Sequence, residues 1–411
     1  MAIAPTNLMK VLFLASYFPK PDNPLMGTWA LCQAQAFVRQ GVDLKVLSFT
    51  SWVPKALARS SGARAYANCP TAHTWEGDVH VEYPRWGYYP INPIKSWSYS
   101  NPEPYLHFAF QTAKKRLIAE IESFNPDVIF CHHSVPNAWM VAQLPEKYRR
   151  PMFVLEHDFE EIADCNHLPK RHTAYKTALS ATTALLAVSK PMEKDMRRLF
   201  PEQHIFTHHN GINIEPVPEN LERSPELQDK FVFLACALFA ERKGVPLLVR
   251  AFGAIADQYP DSILRIIGGG PEEELIKETV QLLKLENRVQ LIGKQPHNVV
   301  LQEMHLADCF ALVGWNEPFA TVYLEAMAAG KPIICCSDGG ITDVIEHEQE
   351  ALIIPPKDES ATIQALKLML DNPDKVTTMG HNAKHLIESS LTWDVKTKEL
   401  LNHFETVPTS Q

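Results

Sequence analysis

Short apolar runs alternate with longer amphipathic stretches along almost the whole chain. Val11–Ser16, Leu44–Phe49, Val79–Tyr83, Val128–Cys131 and Phe153–Glu156 are largely apolar runs, the pattern of strands in a parallel sheet covered on both faces. Between them, Trp29–Gln40 and Leu106–Phe124 repeat apolar residues at helical spacing. A second set of runs follows at Phe231–Cys236, Ile263–Ile267, Val289–Ile292, Cys309–Val313, Pro332–Cys336 and Ala351–Ile354. The two sets are separated by Glu215-Pro216-Val217-Pro218, whose prolines suit an interdomain link. Strands alternating with helices predict parallel βαβ units. Two such sets predict an α/β chain of two Rossmann-like doubly wound domains facing a central cleft, the first over residues 1–215 and the second over 216–390. Ser51–Asn101 is rich in Trp, Tyr and Pro with weak periodicity, and reads as an irregular excursion near a binding face. In open parallel sheets ligands bind beyond the carboxyl ends of the strands, so the loops after strands carry the chemistry.

Composition changes this picture little. A chain of 411 residues is long for one core and suits two domains. Its eight cysteines form no Cys-x-x-Cys pair and several sit inside apolar runs, so they read as buried free thiols in a reducing compartment. Met9–Ser16 has the look of a short signal peptide. It is brief, however, and continues into Tyr17-Phe18-Pro19 without a small-residue cleavage site, so a first buried strand is the better reading. No run approaches the ~20 apolar residues of a membrane span, and a cytoplasmic protein is expected. Charge is uneven, +3 over residues 1–215 and −12 over 216–411, so the two halves meet different partners. No nucleic-acid partner is expected.

The densest chemistry lies in Asn316-Glu317-Pro318-Phe319-Ala320-Thr321-Val322-Tyr323-Leu324-Glu325, directly after an apolar run. Pro318 suits the first turn of a helix and Gly330 its end. Glu317 then precedes the helix and Glu325 lies about two turns inside it, which puts their carboxylates about 12 Å apart. A paired acid/base hydrolase site needs roughly 5–10 Å. The larger spacing fits two grips on one extended nucleotide sugar, with the amides of Phe319 and Ala320 facing the sugar or its phosphates. On these residues alone, two glutamates on the exposed face of a helix remain an equal reading.

The surrounding order of motifs weighs between them. After Glu325 come Ala326-Met327-Ala328-Ala329-Gly330-Lys331-Pro332-Ile333, Asp338-Gly339-Gly340 and Asp343-Val344-Ile345. Ahead of it stand Val188-Ser189, His209-Asn210-Gly211-Ile212-Asn213, Glu241-Arg242-Lys243-Gly244, Gly268-Gly269-Gly270-Pro271-Glu272 and Gln290-Leu291-Ile292-Gly293. As a set over residues 185–395 this resembles the retaining glycosyltransferases of family 4, which have the GT-B architecture. The resemblance implies that Lys243, with Arg242, faces the diphosphate of a nucleotide-sugar donor, that Glu317 with the Phe319 and Ala320 amides orients the sugar, and that Glu325 holds the ribose. It implies donor contacts at Gly27, Thr28 and Gly293, and a sugar contact at His157, where a strand ends. It also implies that Leu391–Phe404 is the last helix, crossing back onto the first domain over about 391–411. One departure stands out: many relatives carry an arginine five residues before the lysine, and here that position is Leu238.

The family reading implies transfer of a hexose with retention, UDP-glucose or a related UDP-sugar being favoured, to a glycan or lipid-linked acceptor in envelope or extracellular polysaccharide synthesis. No Asp-x-Asp element is present and no obligatory metal or cofactor is expected. His132-His133 and His208-His209 lack metal-ligand spacing. The basic clusters Lys114-Lys115-Arg116, Lys147 to Arg150 and Lys190 to Arg198 suit either solvated helix faces or peripheral contact with an anionic membrane. A phosphorylase or epimerase of the same architecture and a catalytically weak sugar-nucleotide-binding protein are the competing functions.

Overall fold

A computed structural model describes residues 8–88, 93–217 and 220–406. Two compact units divide them: the described residues up to Asn210 with those from Trp393 onward, and Gly211–Thr392. Glu215, Pro216 and Val217 of the expected link therefore belong to the second unit, and Pro218 lies outside the described residues, as do residues 89–92 of the Trp- and Tyr-rich excursion and the last five of the chain.

Unit 1 contains β1 (Lys10–Ala15), β2 (Asp43–Leu47), β3 (Thr50–Ser51), β4 (Ala72–Trp75), β5 (Val79–Glu82), β6 (Arg85–Trp86), β7 (Val128–His132), β8 (Met152–Glu156), β9 (Ala184–Ala187) and β10 (Ile205–Thr207). Eight of these form one sheet in the order β10-β9-β8-β7-β1-β2-β5-β4, and β3 pairs with β6. Only β4, at the edge, runs antiparallel, against β5. The central strands are fully buried because helices cover them, as a parallel sheet requires. The helix Trp393–Thr406 is one of those covers. Its Phe404 ring lies 6.2 Å from Phe37, 5.7 Å from Phe130 and 4.6 Å from Phe153, and its Asp394 pairs with Arg39 at 2.8 Å.

Pattern alone leaves out β9 and β10. A four-residue Ala-Leu-Leu-Ala run and a three-residue run are too short to separate strand from helix. The excursion over Ser51–Asn101 is also more ordered than its weak periodicity predicts. It contains β4 to β6, a helix over Ser61–Asn68 and another over Ile94–Ser100. Arg85 knits it together by donating to the carbonyls of Ser51, Tyr66 and Cys69.

Unit 2 contains β11 (Phe231–Leu238), β12 (Ser262–Gly269), β13 (Val289–Gly293), β14 (Cys309–Ala311), β15 (Ile333–Cys336) and β16 (Ala351–Ile354). They form a parallel sheet in the order β13-β12-β11-β14-β15-β16. Phe233, Leu264, Ile266, Ala311 and Ile334 on its strands pack against Leu248, Val249 and Phe252 of the helix Val245–Gly253 and against Leu366 and Met369 of the helix Glu359–Asp371.

Strand order places the chemistry. In unit 1 the chain winds from β1 outward to β2 and then returns to β7 on the other side of β1. In unit 2 it winds from β11 to β12 and β13 and returns to β14 beside β11. Loops leaving the two strands at such a reversal part in opposite directions and leave a crevice at the carboxyl end of the sheet. Those crevices lie after β1 and β7 in unit 1, and after β11 and β14 in unit 2.

Candidate functional site

In unit 2 the loops after β11 and β14 are laced together. The turn Glu241–Lys243 follows β11. Its Arg242 carbonyl accepts from the Trp315 amide at 2.9 Å. Gly314 makes this approach possible, because a Cβ there would stand 3.0 Å from the Arg242 carbonyl oxygen and 3.2 Å from Lys243 Cα. The lacing delivers Glu317, whose side chain is 3 % exposed, onto two cations. Arg242 Nη1 donates to Glu317 Oε1 at 2.8 Å, and the Lys243 ammonium sits 2.7 Å from both carboxylate oxygens. Glu317 is held from behind as well, its carbonyl accepting from the Gly340 amide at 2.8 Å. Burial pushes the Lys243 amine below its ordinary value and Arg242 adds to this, while the Glu317 carboxylate opposes it.

Glu317 and Lys243, expected on the sugar and on the diphosphate of a donor, thus meet each other directly. The helix after them also begins later than expected. It spans Thr321–Ala328 with Ala320 as its N-cap, so Pro318 is outside its first turn, and Phe319 and Ala320 precede its first-turn amides. Pro318 sits where the chain is pinned to Asp338 and Gly340 through its neighbours, and this tertiary tie, not helix propensity, fixes its conformation. Glu325 is then the fifth helical residue, and helical rise does not measure its distance from Glu317. Glu325 accepts from His297 at 3.1 Å. That hydrogen bond raises the His297 imidazole above its ordinary value, against burial. Gly330 closes the helix in the left-handed region at φ 73°. Burial pushes the Cys236 thiol, in β11, up to about 12, with Glu325 adding and Lys243 opposing, so both charges act on this end of β11. Gly293, ending β13, has φ 76° and open space around it. Leu238, ending β11, is 60 % exposed.

In unit 1, Gly27 is the N-cap of the helix Thr28–Arg39 in the left-handed region, φ 75°. A Cβ there would fall 2.3 Å from the Tyr17 carbonyl oxygen, so the fold itself demands glycine. Thr28 is the exposed first residue of that helix and does not cap it. His157 follows β8, and its Nε2 lies 3.2 Å from Nδ1 of His132, the last residue of β7. His132 Nε2 in turn lies 2.8 Å from Gln33 Oε1. His133 turns the other way, with Nδ1 3.4 Å from Glu156 Oε2 and its ring 5.3 Å from that of Tyr17. Glu156 is fully buried and Oε1 accepts from the Ser134 amide at 2.6 Å. Burial alone would lower the His133 imidazole; the Glu156 carboxylate overrides it and raises it. Gln33, His132, His133, Glu156 and His297 were given no role in the sequence, His132-His133 being weighed only as a histidine pair without metal-ligand spacing. The only signal for the first four is position, since β7 and β8 are neighbours in register and bring their carboxyl ends together.

The arginines of the basic clusters are engaged. Arg116 pairs with Glu82 and Glu120, Arg197 with Glu193 and Arg198 with Asp195, and Arg149 and Arg150 donate to backbone carbonyls. Among the described residues no group of three or more His, Cys, Asp or Glu is placed to hold a metal ion, and no helix is long and apolar enough to cross a membrane. All eight cysteines are free, six of them buried.

Two family models match, Glycosyltransferase Family 4 over residues 26–216 and Glycosyl transferases group 1 over residues 217–386. Among curated proteins, the uncharacterized glycosyltransferase MJ1607 of Methanocaldococcus jannaschii is 26 % identical over 73 % of this chain and 80 % of its own length. The lipopolysaccharide core biosynthesis glycosyltransferase LpsD of Rhizobium meliloti is 26 % identical over 63 % of this chain and 69 % of its own. Among solved structures, HepE of Anabaena in complex with UDP-glucose superposes with a TM-score of 0.66 at 18 % identity, covering 97 % of this chain and all of that one. With the two models dividing the chain close to where its two sheets divide, and with an Arg-Lys-Glu nest at the reversal point of the second sheet, the chain belongs to the group 1 glycosyltransferases of GT-B fold and is a glycosyltransferase enzyme.

Proposed function

We propose that the enzyme moves a hexose from a nucleotide sugar, UDP-glucose or a related UDP-sugar, to a glycan or lipid-linked acceptor in envelope or extracellular polysaccharide synthesis, with retention of anomeric configuration. The observation that carries the reading is the pairing of Arg242 and Lys243 with Glu317 at the reversal point of unit 2. Two cations share one carboxylate, which leaves the nest one positive charge in excess. A diphosphate leaving group gathers negative charge as its bond to the sugar lengthens, and preorganised cations stabilise that charge without reorganisation. In this reading Lys243 and Arg242 turn toward the diphosphate. Glu317, relieved of part of its pairing, accepts from a sugar hydroxyl, assisted by the amides of Phe319 and Ala320. Glu325 accepts from the ribose hydroxyls, and Gly293 leaves room beside the nucleotide. His157 hydrogen-bonds to a sugar hydroxyl, and Gly27 and Thr28, at the start of the helix Thr28–Arg39, are further donor contacts. No metal is required, since the nest supplies the neutralising charge.

HepE binds UDP-glucose and LpsD acts in lipopolysaccharide core biosynthesis, which supports a UDP-sugar and a glycan acceptor. A panel of nucleotide sugars, scored by nucleotide release with and without EDTA, tests the proposal. Release from one UDP-hexose, unchanged by chelation and lost in both Glu317→Ala and Lys243→Ala with the fold intact, is expected. Release that survives both substitutions would place the chemistry elsewhere.

A further inference from the structure

The histidine pair at the ends of β7 and β8 has a polarity that its neighbours set. His132 is 1 % exposed and Gln33 fully buried. The His132 ring lies 4.7 Å from that of Phe13 and 5.3 Å from that of Phe130, so its surroundings are largely aromatic. Burial holds both His132 and His157 well below the ordinary imidazole value, and neighbouring histidines add to this, so both rings are neutral. A neutral imidazole has one N–H and one lone pair. His132 uses both nitrogens, Nε2 toward Gln33 Oε1 at 2.8 Å and Nδ1 toward His157 Nε2 at 3.2 Å. With the Gln33 amide turned so that its oxygen faces His132 Nε2, that nitrogen carries the proton and Nδ1 is bare. That bare nitrogen must receive the Nε2 proton of His157. The only proton of His157 is then spent inward, and its Nδ1 is left as a lone pair.

We propose that Gln33 and His132 are positioning residues that lock His157 in the Nε2–H tautomer, so that it meets its substrate as a hydrogen-bond acceptor and never as a proton donor. This rests on the reading above, in which His157 meets the sugar, and it narrows that contact to a hydroxyl that donates. The lock excludes His157 as the acid that protonates a departing group. It also excludes recognition there of a hydrogen-bond acceptor such as a carboxylate or phosphate oxygen.

The test combines a spectroscopic and a kinetic arm. In the full-length protein labelled with ¹⁵N-histidine, the His157 resonances, assigned by their loss in His157→Ala, should show an unprotonated Nδ1 and a protonated Nε2 across neutral pH. In Gln33→Met the acceptor is gone, and in His132→Phe the relay is gone. Both should give His157 a mixture of tautomers, with turnover reduced about tenfold, the worth of one hydrogen bond, in protein that still unfolds cooperatively. A proton on Nδ1 of His157 in the wild-type protein overturns the proposal whatever the activity. The expected tautomer together with full turnover in both variants also overturns the positioning role. If the wild-type protein releases no nucleotide from any donor, the functional reading fails instead, and the resonances still decide the lock.

Discussion

Removing the carboxylate of Glu317 should destabilise unit 2 by about 3 kcal/mol, most of it through Lys243. Breaking a buried ion pair by deleting one partner typically costs 3–5 kcal/mol, because the other charge is stranded. The Glu317 and Lys243 side chains are 3 % and 14 % exposed, which puts them near that regime. Burial already presses Lys243 toward its neutral form, and a stranded Lys243 can shed its proton, so its share falls to about 2–3 kcal/mol. The Arg242 side chain, 40 % exposed, keeps water and contributes at the surface value of roughly 0.5 kcal/mol. For a unit of roughly 150–250 residues the loss corresponds to about 6–12 °C in melting temperature. The measurement is a double-mutant cycle by urea denaturation with Glu317→Gln, Lys243→Met and their combination, read on the transition that reports unit 2. A coupling energy of about 2 kcal/mol is expected, because Lys243→Met removes the stranded charge that makes Glu317→Gln costly. The same cycle with Arg242→Met should give about 0.5 kcal/mol. Additivity of the Glu317 and Lys243 changes within about 0.5 kcal/mol would refute the pairing as an energetic unit.

Three further outcomes follow from unit 1. The imidazole of His133 is raised above 6.5 by Glu156, so the pair stabilises the fold in full below that value and loses its effect as pH rises through the raised value. The stability gap between wild type and Glu156→Gln should therefore be widest near about pH 5.5 and shrink toward about pH 9, as thermal melts across that range would show. Gly27→Ala should cost about 1–3 kcal/mol or more in urea denaturation, since φ is 75° and the new Cβ meets the Tyr17 carbonyl at 2.3 Å. Any loss of activity in that variant would accordingly say nothing about the donor unless its stability were unchanged. Phe404→Ala should lower the stability of unit 1 by about 3–5 kcal/mol in the same assay, because the ring is 6 % exposed and meets three core phenylalanines.

The two halves differ in how much of this the sequence discloses. In unit 2 every strand was legible, because each is a run of apolar residues bounded by turns, and the candidate residues follow strands in the order that a reversal at β11 and β14 requires. What pattern could not reach was the contact between Glu317 and Lys243, 74 positions apart, which depends on two loops closing over Gly314. The misplaced helix start has a similar cause, since Pro318 satisfies the local rule for a first turn but the chain there is tied to other loops. In unit 1, His157 was proposed through the family resemblance, which implies a sugar contact at that strand end, while Gln33 was passed over and His132 was noted only in a histidine pair without metal-ligand spacing. A buried glutamine on a helix and a histidine closing a strand look like ordinary core residues. Only the alignment of β7 beside β8, with the helix Thr28–Arg39 packed nearby, turns them into a chain of hydrogen bonds.

Leu238 bears on how a diphosphate would be held. The position where the family resemblance implies an arginine is a 60 % exposed leucine, so the second cation of the proposed clamp must come from elsewhere. Arg242 stands on the same turn as Lys243 and shares its carboxylate, which makes it the natural substitute. Distant charge cannot help, since residues 216–411 carry a net −12 and would repel an anionic donor. Exposed charges beyond about 8 Å are largely screened at physiological salt, whereas the partly buried nest is not. Donor capture should therefore depend on the local cations and only weakly on the acidic remainder. Arg242→Met should raise the donor KM about tenfold, the scale of one charge-assisted hydrogen bond. Leu238→Arg should do little in the wild-type background, where the second cation is already present. In the Arg242→Met background it should recover much of the loss, because an arginine at that exposed strand end restores the missing charge. If Leu238→Arg tightens donor binding equally in both backgrounds, Arg242 is not the substitute, and the clamp in the natural enzyme rests on Lys243 alone.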